Sequence, residues 1–75
     1  MLVYTVEVSD REGRPLPNLP PAYCMAAARQ RILDAAGLAD LPADGPEYGV
    51  LGLRNIVEGW FIGGVEYAIR QDAVS

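Results

Sequence analysis

Histidine and lysine are absent from this 75-residue chain, and cysteine occurs once. Without imidazole there is no histidine general base, no histidine-activated nucleophile and no histidine metal ligand. Without lysine there is no Schiff-base amine and no phosphate-loop lysine. Aliphatic hydroxyls are limited to Thr5, Ser9 and Ser75, beside four tyrosines. The single Cys24 leaves no disulfide, which argues against a secreted, disulfide-stapled scaffold. No basic-then-apolar leader follows Met1. The longest nearly apolar run, Ile56 to Ile69, contains Glu58 and Glu66 and falls short of the ~20 residues of a membrane span. These absences predict a cytoplasmic, non-enzymatic protein with no cofactor and no metal.

What is present is globular in character: 51% of residues are hydrophobic and 21% charged, with a net charge of −4. The length suits one compact domain over residues 1–75, small enough to bury only about 60% of its unfolded surface. Residues 2–8 alternate as a strand, with Leu2, Tyr4, Val6 and Val8 on one face. A polar turn follows, and Pro15, Pro17, Pro20 and Pro21 stiffen the approach to a helix expected over about 21–36, ended by Gly37. Its wheel gathers Cys24, Met25, Ala28, Ile32, Ala35 and Ala36 inward, with Arg29 and Leu33 at the flanks. Tyr23, Ala27, Gln30, Arg31 and Asp34 point away.

An acidic loop is expected over 37–47, then strands over about 48–53, 55–62 and 65–71. Gly63-Gly64 forms a tight hairpin that sets Ile62 opposite Val65 and Trp60 opposite Tyr67. The expected architecture is α+β: a single helix on a small, mostly antiparallel sheet, in the order β-α-β-β-β. Glu58 conflicts with the hairpin, because the same register aims it inward opposite Ile69, where an unpaired carboxylate is costly. Two solutions are open. A bulge or strand end at Gly59 turns Glu58 outward, or Glu58-Gly59 is itself the turn.

Few groups suggest chemistry. Glu58 and Glu66 are the nearest approach to a catalytic carboxylate pair, but strand-surface acids explain them better in a chain too small to enclose a substrate. Cys24 reads as a small buried hydrophobe, since nothing nearby activates its thiol. The glycines match no dinucleotide fingerprint and fit turns and bulges. Arg11, Arg14, Arg29 and Arg31 are too few for direct nucleic-acid binding beside the net negative charge.

Asp34, Asp40, Asp44 and Glu47 form an acid-only stretch that accounts for the whole net charge. It reads either as a solvated loop or as a patch that steers the chain onto a cationic partner; its spacing does not match a calcium loop. Tyr23 and Gln30 extend the candidate partner surface along the helix, with Tyr23 either an outward anchor or folded onto the Pro15–Pro21 segment.

In size, acidity and scarcity of reactive groups, the chain is similar in general character to the small phage- and mobile-element-encoded inhibitors of bacterial defence, of which anti-CRISPR proteins are the best-known group. That resemblance implies a stoichiometric inhibitor seated on a basic, nucleic-acid-handling surface of a larger protein or nucleoprotein complex. The expected state of the chain itself is a monomer or weak homodimer. The alternative expectation is an accessory or structural subunit, associating through its sheet edge, as a homodimer, or through a face bearing Val57 and Phe61.

Overall fold

A computed structural model describes residues 1–46 and 55–74. Within them the elements are β1 (Leu2–Ser9), β2 (Pro15–Leu16), α1 (Met25–Ala36), β3 (Ile56–Ile62) and β4 (Val65–Ala73). The strands form an antiparallel sheet in the order β2-β1-β4-β3, with α1 against one face. The α+β class therefore holds, while the element order differs from expectation by the added β2. The strand expected over 48–53 lies outside the described residues.

The period-two pattern of β1 is realised: Tyr4, Val6 and Val8 are buried. They meet Trp60, Tyr67 and Ile69 from the second hairpin and Ala28 and Ile32 from α1 in one core. Ile32 and Val6 are fully enclosed, and burying such a side chain stabilises by roughly 1.5–3 kcal/mol.

β2 and the prolines after it explain why β1 is covered on its outer edge. Proline has no N–H to donate, so a proline-rich segment cannot run as a regular central strand. The residues between and just after the prolines make the bonds instead: Leu19 N–H donates to the Val6 carbonyl at 3.1 Å, and Ala22 exchanges two bonds of 2.8 Å with Tyr4. A discontinuous, proline-punctuated strand of this kind protects an edge without offering a template for further pairing.

The same bonds correct the helix start. Ala22 is committed to extended pairing with Tyr4, so α1 begins at Met25 instead of near residue 21. Cys24 is the N-cap, with φ −154° and ψ 162°, and its Sγ accepts from the Ala27 N–H at 3.4 Å. It is exposed, which overturns the reading of a buried thiol. Tyr23 precedes the cap and so is not on the helix. The inward face is Ala28 and Ile32, with Met25, Ala27 and Ala36 packed beside them; Ala35 is exposed. Gly37 ends α1 at φ 71°, as the sequence predicts.

The second hairpin follows its expected register: Ile62 opposite Val65, Trp60 opposite Tyr67 and Glu58 opposite Ile69. Gly63 and Gly64 both take positive φ, 59° and 82°. Both expected solutions for Glu58 are corrected. The turn is not at Glu58-Gly59, and the register shift falls between Ile56 and Glu58, making Val57 the extra residue. Glu58 keeps its inward aim and is 3% exposed. The bulge also brings Val57 against the core, so Val57 and Phe61 do not share an outer face.

Candidate partner-binding surface

Glu58 tolerates burial because three donors reach it. Arg29 forks onto it, Nε to Oε1 at 2.9 Å and Nη2 to Oε2 at 2.7 Å, and Trp60 Nε1 donates to Oε1 at 2.6 Å. The hydrogen bond from Arg29 lowers the Glu58 pKa below its ordinary value; burial pushes it up, and the Trp60 indole and the Arg29 charge add to the lowering. This carboxylate is thus a fixed anion that ties α1 to β3 and orients Trp60. Glu66 is exposed, opposite Phe61, so the two glutamates do not converge as a catalytic pair.

Alternation along β3 turns Trp60 inward and its neighbour Phe61 outward, where it is 57% exposed. Two depressions flank this ring. The first, of about 210 Å³, is lined by Pro42, Asp44, Gly45, Pro46, Trp60 and Phe61. A turn shapes its rim, with Gly45 N–H donating to the Pro42 carbonyl at 3.2 Å. The second, of about 350 Å³, is lined by Ser9, Asp10, Arg11, Gly13, Phe61 and Glu66. Asp10 is occupied there by its own loop: Oδ1 accepts from the Glu12 and Arg14 backbone N–H groups at 3.0 and 2.8 Å, and Oδ2 pairs with Arg14 at 3.1 Å.

The described arginines largely spend their charge inside the chain. Arg29 holds Glu58, Arg14 holds Asp10 and Glu12, and Arg70 holds Glu7 at 2.6 Å and Asp72 at 2.8 Å. Arg31 reaches the Pro21 carbonyl at 3.3 Å, and its buried Nε has no partner among the described residues. Among the described residues Asp40, Asp44 and Glu66 have no cation within ion-pair distance, and Asp34 accepts from Gln30 at 2.9 Å.

The residues singled out from sequence are therefore distributed rather than gathered. Gln30 and Asp34 are exposed one turn apart on α1, and Asp40 is exposed on the loop beyond it. Tyr23 is 64% exposed ahead of the N-cap. Asp44 alone among them lines a depression beside Phe61. Glu47 lies outside the described residues. The centre of the surface, Phe61 with Glu66, is not part of the acidic partner surface read from sequence; Phe61 enters there only with Val57, as an association face of the accessory-subunit alternative, and alternation with Trp60 and Ile62 places it outward.

The described residues hold no group of three or more acids and cysteines arranged for a metal ion, and no helix among them is long and apolar enough to cross a membrane. No protein-family model, curated protein or solved structure matches the chain.

Proposed function

We propose that this protein is a non-catalytic binding module that docks its acidic side on a basic surface of a larger macromolecule. One observation carries the reading: among the described residues Asp40, Asp44 and Glu66 have no cation within ion-pair distance, while Arg14, Arg29 and Arg70 are each held by carboxylates of the same chain. The negative charge left over is therefore available for an external cation. An inhibitor of a nucleic-acid-handling complex is the biological role this chemistry suits, since such complexes present basic surfaces.

The test is kinetic. A partner captured with the tagged chain is purified, and association is measured at low and high salt for the wild type and for Asp40→Lys/Asp44→Lys. Steering by these acids predicts an on-rate about tenfold lower for the variant at low salt, and a flatter salt dependence. An unchanged on-rate and salt response overturns the reading.

The accessory-subunit alternative has its own support, in that β3 is the last strand of the sheet among the described residues. Light scattering tests it directly: a monomer at micromolar concentration removes the homodimer form of that alternative.

A further inference from the structure

We infer that the depression between Phe61 and Asp44 is a receptor for a single arginine side chain presented by a protein partner. This rests on the binding-module reading and specifies what the module recognises. The walls are Pro42, Pro46, Trp60 and the exposed ring of Phe61, and Asp44 stands on the rim without a cation among the described residues. Its volume of about 210 Å³ is below the ~300–1,000 Å³ of small-molecule sites. It is on the scale of one long side chain.

The combination of surfaces selects the occupant. A guanidinium is flat and weakly hydrated, stacks on aromatic faces, and forks onto a carboxylate. An ammonium is compact and strongly hydrated, and gains less from an aromatic and proline wall. Phosphate-bearing partners are disfavoured by Asp44 and by Glu66 on the far side of the ring. Of the chain's described arginines, Arg14, Arg29 and Arg70 are held by internal acids, Arg31 reaches the Pro21 carbonyl and Arg11 lines the other depression, which leaves this one to an arginine from another protein.

Two features hold the receptor in shape. Trp60 is fixed by its 2.6 Å bond to Glu58, which Arg29 fixes in turn. Phe61 is held beside it by the hairpin register that sets it opposite Glu66. Glu58 and Arg29 act as positioning residues for this wall.

The experiment is a titration of isotope-labelled protein, followed by amide chemical shifts, with octa-arginine and octalysine peptides as probes. Wild type, Phe61→Leu and Asp44→Asn are compared; both positions are exposed, and each variant's own spectrum reports its fold. Octa-arginine is expected to shift the amides of residues 43–45 and 60–61 and to bind about three- to fivefold more tightly than octalysine. Phe61→Leu should erase that preference, and Asp44→Asn should weaken arginine binding several-fold. Equal binding of the two peptides, indifferent to Phe61→Leu, overturns the arginine receptor while leaving the binding-module reading standing. Binding of neither peptide overturns both. Shifts at the same amides when the protein alone is concentrated assign the depression to a second copy, which also overturns the proposal.

Discussion

Arg29 and Glu58 are joined by two parallel hydrogen bonds across the only helix–sheet layer among the described residues, at 2.9 and 2.7 Å. Their environments are unequal: the Glu58 side chain is 4% exposed and the Arg29 side chain 44%. Burial alone makes a carboxylate costly, and the two bonds from Arg29 offset that cost. The pair ties the Arg29 turn of α1 to β3, and the 2.6 Å bond from Trp60 locks the neighbouring indole to the same point.

Arg29→Ala is therefore expected to destabilise the fold by roughly 1–3 kcal/mol, the lower end reflecting water around the exposed guanidinium. Urea denaturation followed by Trp60 fluorescence measures this. Pairing Arg29→Ala with Glu58→Gln should recover part of the loss, because the amide needs no counter-ion and still accepts from the indole. If the two substitutions simply add, the ion pair is energetically silent.

Acid sensitivity follows from the same contact, with its sign fixed by the lowered Glu58 pKa. The unfolded chain takes up its proton at a higher pH than the folded one. The pair's contribution is thus complete above the ordinary glutamate value, about pH 4.3, and is lost as pH falls through the lower folded-state value. Asp72 is shifted the same way by Arg70 and then Asn55, so wild type must be compared with Glu58→Gln, which leaves Asp72 in place. Stability measured between pH 6 and pH 3 is expected to fall less steeply in Glu58→Gln. Parallel curves would remove Glu58 from the acid response.

Cys24 offers a test in which the sequence expectation and the structure predict opposite signs. A buried small hydrophobe loses stability when replaced by serine, whereas an exposed N-cap gains from a better acceptor. Sγ accepts the Ala27 N–H at 3.4 Å, and the first turn of α1 has no acidic residue. Cys24→Ser or Cys24→Asp is expected to stabilise by about 0.5 kcal/mol, with aspartate also favoured by the helix dipole. A rise in thermal midpoint checks it.

Local pattern made much of this fold readable from sequence. Alternation in β1, the Gly63-Gly64 turn with its register, and Gly37 as helix terminator depend on neighbouring residues, and each appears as expected. The errors arose where a distant partner decides. Ala22 is drawn out of the helix by Tyr4, eighteen positions earlier in the chain, and Glu58 is kept inward by Arg29 on another element. The wheel placed Arg29 at the edge of the apolar face but could not say what it reaches. The binding surface was legible only in part: acidity marked Asp44, while the value of Phe61 depends on a loop and a strand meeting beside it.

Gly64 links the turn to that surface, and its substitution separates two kinds of strain. At φ 82° an L side chain is disfavoured, and a Cβ there would lie 2.8 Å from Arg11 Nε and Nη2. The arginine contact is with the far end of a flexible chain and yields by rotation, whereas the backbone conformation cannot yield without disturbing the hairpin. Gly64→Ala is thus expected to cost about 1 kcal/mol or more, and Arg11→Ala should restore little of it. Gly64→Asn should be milder, because asparagine tolerates left-handed backbone. Thermal unfolding of the three variants and of the Gly64→Ala/Arg11→Ala pair distinguishes the terms. Full rescue by Arg11→Ala would show that the clash, and not the turn, is what demands glycine.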